Sequence, residues 1–356
     1  MLRAMRRRGA KLCAVACLLL LIGCRVPGAV RPTVRIGLVA PFEGRYRYVG
    51  YDVFPAVRLA VREVNATGGL EGTFVELVAY DDGADPAMAV EQAHKLAVDP
   101  GVMAALGHLR EETTLAAQPA YAEADLALVA PPLLASEPSV FRTGPTADQL
   151  AAALLDQAPT AALLSDGSPL GVALQALAPT RGVSLAPIVS PEAEDWLQRV
   201  VAGDPPVLLC DINPVSAGEA VAALRAAGWS GRFLGGPELA AADFAAVGGE
   251  AARGAEFVTP WPMPEDTADG AEFVAAYTEV SGGPPAGPLA RPTYRATHLM
   301  LEALRIDLAA DGIASRAGTA SALGTVAETS PNEEGQLYWY QVSANGGLEL
   351  MRVIQP

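Results

Sequence analysis

Residues 34–80 read VRIGLVAPFEGRYRYVGYDVFPAVRLAVREVNATGGLEGTFVELVAY, two apolar runs separated by a long segment of helical character. The runs at 34–40 and 74–80 are nearly continuous in branched apolar residues, as strands buried in a parallel sheet are. The glycines of Gly68-Gly69 end the intervening helix, which we expect to begin near Tyr51. Because parallel strands need a crossover of this kind, the stretch predicts a strand–helix–strand unit.

The same alternation continues along the chain. One helix has a clear start, since Asp85 is a favourable N-cap and Pro86 suits the first helical position. We therefore predict an α/β protein with doubly wound parallel sheets, in which ligands bind beyond the carboxyl ends of the strands. Further buried strands are predicted at residues 102–106, 126–130, 161–164, 207–210, 233–235 and 257–258.

The first residues predict export from the cytoplasm. Basic residues at positions 3, 6, 7, 8 and 11 precede an apolar run, residues 12–22, that is too short to cross a hydrocarbon core of about 30 Å. Residues 1–23 are thus predicted to be a signal peptide, Cys24 the lipid-bearing residue that anchors the mature chain to a membrane, and 24–32 a tether. The alternative is an ordinary cleaved signal in which Cys24 is incidental. Both interpretations place the protein outside the cytoplasm.

Composition limits the possible partners and metal sites. Without the signal, the chain keeps 20 Lys and Arg and 40 Asp and Glu, a formal charge of −20. Nucleic acid is not an expected partner, because phosphate binding needs clustered basic residues. Cys13 and Cys17 lie in the signal and Cys24 carries the lipid, so Cys210 stands alone and no internal disulfide is expected. We expect no metal site, since the acids at 81–85 also lack the ligand spacing of a calcium loop.

The remaining 333 residues are enough for two domains. Proline and glycine interrupt the alternation at 142–146 and 259–264, which we interpret as passages between lobes. A hairpin with strands at 337–342 and 348–354 is predicted after the last helices. We predict one lobe from 33–144 plus 261–334 and a second from 145–260 plus 335–356. Two sequential domains without chain exchange are the alternative.

Several segments also carry a family resemblance. They are VRIGLVAP at 34–41, LAVREVNATGGLEG at 59–72, YDDGADPAMAV at 80–90, DPGVMAALGHL at 99–109, and, later in the chain, AAGWSGRF at 226–233, GGPE at 235–238 and RGAEFVTPWP at 253–262. In these segments the chain resembles the type I periplasmic solute-binding proteins of the branched-chain amino acid class. The resemblance implies two lobes joined by three crossovers, which close over a small solute and deliver it to an ABC permease. We expect a monomer.

The residues that hold an amino acid in this family are mostly replaced here. Glu111 stands where members have a serine that receives the ligand carboxylate, and Leu133 and Leu134 stand in the next ligand-binding loop. Two tyrosines of the second lobe correspond to Leu170 and to a position near Asn213. The resemblance therefore implies a retained scaffold with a changed solute preference. Leucine, isoleucine and valine are expected to bind poorly.

Two acidic residues are the main candidates for ligand contact. Glu238 matches the acid that meets the ligand ammonium in the family. Glu111 is predicted at the start of a helix, where it either binds a cationic or hydroxyl-bearing group or only stabilises the helix N-terminus. Capping is also the alternative for Glu238 and for Thr113, a further candidate in the same turn as Glu111.

Three aromatic residues follow the first strand and are candidates for the walls of the cleft. Phe42, Tyr46 and Tyr48 lie within seven positions of one another, and aromatic rings at a cleft mouth supply flat apolar surfaces with a polar tip. Tyr46 is the preferred candidate.

No sequence pattern supports catalysis or a cofactor. The three histidines have no nucleophile in a recognisable motif, and the sequence lacks G-x-S-x-G, Walker and dinucleotide-binding patterns. We predict a membrane-anchored solute-binding lipoprotein that captures a small polar solute, amino-acid-like, an amide or a related compound, for an ABC importer. A ligand sensor of the same fold and a degenerate scaffold without a transport role are the alternatives.

Overall fold

The computed structural model describes residues 31–130, 140–142, 146–329 and 336–355. The predicted signal peptide, the predicted lipid site Cys24 and the candidates Leu133 and Leu134 lie outside these described residues.

The first lobe is built on a sheet of five parallel strands in the order β2-β1-β3-β4-β5. Helix α1 connects β1 to β2, α2 connects β2 to β3, and α3 connects β3 to β4. The elements are β1 (Thr33–Ala40), α1 (Arg47–Ala66), β2 (Phe74–Asp81), α2 (Pro86–Ala97), β3 (Val102–Gly107), α3 (Glu111–Glu123), β4 (Ala127–Ala130) and β5 (Val140–Arg142).

The second lobe is built on a sheet of seven strands in the order β12-β11-β10-β9-β8-β6-β7. Its strands are parallel except that β11 is antiparallel to both β10 and β12. The elements are α4 (Ala147–Leu155), β6 (Thr160–Ser165), α5 (Pro169–Leu177), β7 (Ser184–Val189), α6 (Trp196–Gly203), β8 (Val207–Asp211), α7 (Pro214–Ala226), β9 (Arg232–Gly235), α8 (Ala242–Gly248), β10 (Glu256–Thr259), β11 (Leu337–Val342) and β12 (Leu348–Ile354).

Three helices between β10 and β11 belong with the first sheet. They are α9 (Gly270–Ser281), α10 (Ala290–Asp311) and α11 (Arg316–Thr329). Helices α9 and α10 pack against α1, and α11 packs against α10 and β3. The chain therefore passes between the sheets three times, which confirms the predicted fold class of two parallel-sheet lobes joined by three crossovers. The predicted lobe boundaries stay a prediction. None of the described helices is long and apolar enough to cross a membrane.

Both faces of the first sheet are covered, as the continuous hydrophobicity of its strands predicts. Ile36 and Leu38 of β1 are fully buried in a cluster with residues of α1 and α10. Val39, which points to the opposite face, is buried in a cluster with residues of α2 and α3. This doubly wound arrangement fixes the ends of β1 and β3, where the chain turns into α1 and α3.

Three elements differ from the sequence predictions. Strand β5 is not predicted, because its three residues are too few to show a pattern. Strand β7 was not predicted, because it is an edge strand with alternating exposure and contains Pro187, whereas the prediction relied on continuous burial. Helix α1 begins at Arg47 rather than near Tyr51, because the 3-10 turn Gly44–Tyr46 leads directly into it. Tyr48 consequently lies in the first turn of α1 rather than in a loop.

One arginine ties the returning helices to the first sheet. Arg316, at the start of α11, donates from Nε to the carbonyl oxygen of Val102 at 3.0 Å and from Nη1 to that of Ala124 at 3.0 Å. Its Nη2 donates to the carbonyl oxygens of Ala97 at 2.9 Å and Asp99 at 2.7 Å. A single guanidinium therefore satisfies backbone acceptors at the ends of α2 and α3 and at the start of β3.

Replacing this arginine should destabilise the fold. Arg316→Met leaves several partly buried carbonyl groups without their charged donor, so we expect the free energy of unfolding to fall by about 2–3 kcal/mol. Urea denaturation followed by circular dichroism measures the change. Arg253→Met is the matched control, because Arg253 makes only an exposed ion pair with Glu250 and should cost less than about 0.5 kcal/mol. Equal denaturation midpoints for the two variants would show that the bonds from Arg316 to the backbone carbonyls do not stabilise the fold.

Candidate functional site

A cavity of about 870 Å³ lies between the lobes, at the edge where β3 and β6 end. This is the place where doubly wound sheets bind ligands, and the volume lies in the range of about 300–1,000 Å³ found for ligand pockets. Both lobes contribute to its walls. The lining residues are Tyr46, Arg110, Glu111, Glu112 and Leu115 of the first lobe, and Thr146, Ala147, Asp148, Asp166, Gly167, Ser168, Pro169, Val172, Ala173 and Ala176 from the chain that follows.

Tyr46 makes the direct contact between the two walls. Its hydroxyl donates to Oδ2 of Asp166 at 3.1 Å, across 120 positions of sequence. The guanidinium of Arg110 lies over the Tyr46 ring, 3.7 Å from its centroid, and donates from Nε to Oε1 of Glu112 at 2.6 Å. The stacked ring and the paired carboxylate thus hold Arg110 in place. Arg110 is not among the residues predicted from the sequence, although its position, a cation between the end of a strand and the start of a helix, was an available signal.

A buried polar network packs beneath the turn from β3 to α3, which carries Arg110 and Glu112. His108 is fully buried, with Nδ1 2.7 Å from Oδ2 of Asp82 and Nε2 3.0 Å from the hydroxyl of Tyr121. The hydroxyl of Thr114 donates to the carbonyl oxygen of His108. Because buried polar networks of this kind rigidify their surroundings when fully satisfied, the turn from β3 to α3 has a defined geometry.

The second lobe contributes a buried carboxylate next to the cavity. Asp211, at the end of β8, is 3% exposed and accepts hydrogen bonds from the hydroxyls of Ser168, at 2.6 Å, and Ser165, at 3.1 Å. Burial raises the pKa of Asp211, while these hydroxyls lower it. Gly171 permits the arrangement, since a Cβ there would lie 2.0 Å from the Ser165 hydroxyl oxygen.

Glu238 lies close enough to Tyr48 to raise the pKa of the Tyr48 hydroxyl. Glu238 follows β9 in the 3-10 turn Pro237–Ala240, and burial and then the charge of Asp211 raise the pKa of its carboxyl to about 7. Burial also raises the pKa of Tyr48 well above its usual value, with Glu238 the next contributor. Arg110 lowers both pKa values. Charged groups of each lobe therefore alter the pKa values of groups in the other lobe.

Two of the predicted site residues line the cavity. Tyr46 does so, and Glu111 does as the first residue of α3. Burial and the neighbouring Glu112 raise the pKa of Glu111. The N-cap of α3 is Arg110, so Glu111 follows the cap and faces the cavity.

Two further candidates use their side chains in local contacts at helix starts. Thr113 is buried and donates its hydroxyl to the carbonyl oxygen of Arg110 at 3.0 Å, so it is not the N-cap of α3. Asn213 is the N-cap of α7, where Oδ1 accepts from the backbone amide of Ser216 at 3.0 Å and Nδ2 donates to the Ser216 hydroxyl. Neither residue lines the cavity that the described part of the chain forms.

The remaining described candidates pack within the lobes. Phe42 meets Phe54 edge to face, with ring centroids 5.9 Å apart, at the border of the first-lobe core. Leu170 is buried in the second-lobe core beside Gly236. The structure therefore separates a group near the cavity, with Tyr46, Glu111, Glu238 and Tyr48, from candidates whose side chains pack or bond within one lobe.

The acids at 81–85 form a turn. Oδ1 of Asp81 accepts from the backbone amides of Phe42 at 2.9 Å and Gly83 at 2.8 Å, and Asp85 caps α2. No group of three or more His, Cys, Asp or Glu side chains in the described ranges is arranged to hold a metal ion.

Comparison with known proteins identifies relatives over different lengths of the chain. A family model described as periplasmic binding protein matches residues 33–354. The Leu/Ile/Val-binding protein of Escherichia coli (strain K12) is 30% identical over 109 residues, which are 31% of this chain and 29% of that protein. The chain thus matches less than a third of the length of this curated relative.

Solved structures match nearly the whole chain at low sequence identity. The substrate binding protein of a branched-chain amino acid transporter from Streptococcus pneumoniae, in complex with isoleucine, has a TM-score of 0.78 and 19% identity, covering 91% of this chain and 100% of that one. A solute binding protein of an ABC transporter from R. palustris, in complex with benzoate, has a TM-score of 0.76 and 16% identity, covering 91% and 97%. These likenesses show the shared fold.

The raised pKa of Glu238 predicts a pH-dependent stability. The folded protein holds a proton on Glu238 between about pH 4.5 and 7 that the unfolded chain releases, so this stabilisation is complete at low pH and is lost as the pH rises through 7. Between pH 5 and pH 8, the wild type should lose about 1–3 kcal/mol more free energy of unfolding than Glu238→Gln. Urea denaturation at both pH values measures this difference.

Glu219→Gln is the control for this experiment, because Glu219 is exposed on α7. It should follow the wild type at both pH values. If Glu238→Gln also follows the wild type, burial does not shift the Glu238 carboxyl as described.

Proposed function

The chain belongs to the periplasmic binding protein family, and from that premise we propose that it captures a small polar solute between its lobes and presents it to an ABC importer. The observation that carries the proposal is the cavity of about 870 Å³, whose walls come from both lobes. Members of this family are binding proteins rather than enzymes. The parts of the cavity wall on α3 and α5 belong to different sheets, so a solute held between them contacts both lobes.

The contact between Tyr46 and Asp166 supports a closing motion. It joins the walls at an exposed position, where a hydrogen bond contributes only about 0.5–1.5 kcal/mol. A bond of that strength is broken easily, so the lobes can separate to admit a solute. A solute that touches both walls adds contacts that exist only in the closed form, and it therefore shifts the population towards closure.

Glu111 supports a solute other than a branched-chain amino acid. It lines the cavity at the position where the resemblance implies a donor for the ligand carboxylate. Two like charges 4 Å apart at an effective dielectric constant near 20 repel by about 4 kcal/mol, which corresponds to roughly a thousandfold in affinity. We therefore infer that leucine, isoleucine and valine bind weakly and that the amide, cationic or polyhydroxylated classes of solute are preferred.

We further propose that the protein acts outside the cytoplasm, attached to a membrane by a lipid on Cys24. The basic start, the short apolar run and the position of Cys24 support this proposal. Two acyl chains on one cysteine hold a soluble domain at a membrane surface durably, whereas one chain does so only marginally. A lipid anchor would keep the cleft near a permease.

Solute capture can be tested by a screen of small polar solutes. A solute present at 100 times its Kd should stabilise the protein by about 2.7 kcal/mol, which a thermal-shift assay detects. The same solute should lower the radius of gyration in small-angle scattering, because the lobes close around it. A bound solute that leaves the radius unchanged would favour the scaffold alternative.

A pair of tyrosine variants tests whether the contact between the walls takes part in capture. Tyr46→Phe lacks the hydroxyl that bonds Asp166, so it should bind the same solute more weakly. Tyr51→Phe is the matched control, because Tyr51 is exposed on α1 and is not among the described residues that line the cavity. Equal affinities of the two variants would show that the Tyr46 hydroxyl does not contribute to the closed form.

Anchoring can be tested by cell fractionation. Cys24→Ser removes the thiol that would carry the lipid, so the protein should move from the membrane fraction to the soluble fraction. Cys210→Ser is the matched control, because Cys210 is buried in β8 and its replacement should leave the protein in the membrane fraction. Retention of Cys24→Ser on membranes after cleavage of its signal would exclude the lipid anchor.

A further inference from the structure

The cavity wall has an excess of negative charge. Glu111, Asp148 and Asp166 line it, and no Lys or Arg of the described residues comes within 4 Å of their carboxylates in an ion pair. Arg110 is the one cation on the described part of the wall, and its Nη2 lies 2.5 Å from Oε1 of Glu112. The charge of Arg110 is therefore already balanced within the first lobe.

Helix ends at the cavity do not cancel this excess. Glu111 is the first residue of α3, Asp148 is in the first turn of α4, and Asp166 precedes the start of α5. Each helix N-terminus is equivalent to about half a positive charge. Three such ends offset about half of the charge of three carboxylates, so the described part of the wall keeps a net negative potential.

The same cavity has an apolar wall contributed by both lobes. Leu115 of α3 is 46% exposed and Val172 of α5 is 56% exposed, and both line the cavity. Ala173 and Ala176 extend this surface along α5. Large apolar side chains that are left exposed inside a cleft stabilise a bound ligand that covers them, because its binding removes apolar surface from water.

From this combination we propose that the solute is a cationic amphiphile, a compound with an ammonium group, a compact hydrocarbon part and no free carboxylate. The inference rests on the proposed function and narrows it. The ammonium would lie near Glu111 and Asp166, and the hydrocarbon would cover Leu115 and Val172. Arg110 does not offer a binding site for an anionic solute, because its guanidinium already forms an ion pair with Glu112 and stacks on the Tyr46 ring.

Three compounds with the hydrocarbon of leucine test the charge preference. They are 3-methylbutylamine, which has only the ammonium, leucine, which has both charged groups, and 4-methylpentanoate, which has only the carboxylate. By isothermal titration calorimetry of the full protein, we expect the amine to bind at least about tenfold more tightly than leucine and the carboxylate to bind least.

Variants of the wall test which residues are responsible. Glu111→Gln and Asp166→Asn should each weaken amine binding about tenfold, because each removes one negative charge near the ammonium. Val172→Thr keeps the shape of the side chain but replaces a methyl group with a hydroxyl, so it should also weaken binding. Glu123→Gln is the matched control, since Glu123 is exposed at the other end of α3, and it should bind like the wild type.

The inference is overturned if 4-methylpentanoate binds more tightly than the amine, if the amine does not bind at millimolar concentration, or if both charge variants bind the amine like the wild type. Its failure is distinguishable from failure of the proposed function. If another solute of the screen still binds and compacts the protein, capture stands and only the preference for a cation is wrong. If no solute compacts the protein, the proposed function fails as well.

Discussion

In a parallel sheet, all strands start at one end of the sheet, and the chain must return to that end before the next strand can form. Every turn from a strand into a helix therefore lies at the opposite end, where the strands finish. The pairing of β1 with β3 therefore places the turn that carries Tyr46 beside the turn that carries Arg110. The pairing of β6 with β8 likewise brings Asp166 next to Asp211. The candidate site is a consequence of strand direction in both sheets.

The site combines a rigid polar network in the first lobe with buried acidic residues in the second lobe, whose charges are unfavourable to bury. The network of His108, Asp82 and Tyr121 satisfies its polar atoms internally and fixes the turn above it. In the second lobe, the hydrogen bonds to the carboxyls of Asp211 and Glu238 do not fully offset the cost of burying their charges. Burial raises the pKa of both Asp211 and Glu238, and the charge of Asp211 adds to the rise at Glu238. Raised pKa values of this kind are common where a protein keeps groups for a ligand rather than for stability.

The sequence predicts the fold better than the site, for physical reasons. Continuous burial identifies β1 and β8, but it misses β7, whose outer position leaves alternate side chains in water. The contact of Tyr46 with Asp166 joins different lobes, and no periodicity encodes a distance across 120 positions. The family pattern predicts Asn213 as a ligand contact, yet an asparagine before a helix also serves as a cap, and the structure gives it that role. The ligand roles of Glu111, Glu238, Tyr46 and the other candidates remain predictions.

The triple passage of the chain between the sheets also affects how the protein is made. The core of the first lobe includes Leu301 and Leu304 of α10, and the core of the second lobe includes Trp339 and Tyr340 of β11. Neither lobe can complete its hydrophobic core until late segments of the chain have been synthesised, so many native contacts have a large sequence separation. Topologies of this kind fold slowly. With the predicted signal peptide, slow folding would keep the chain in an unfolded form that a translocation channel can accept.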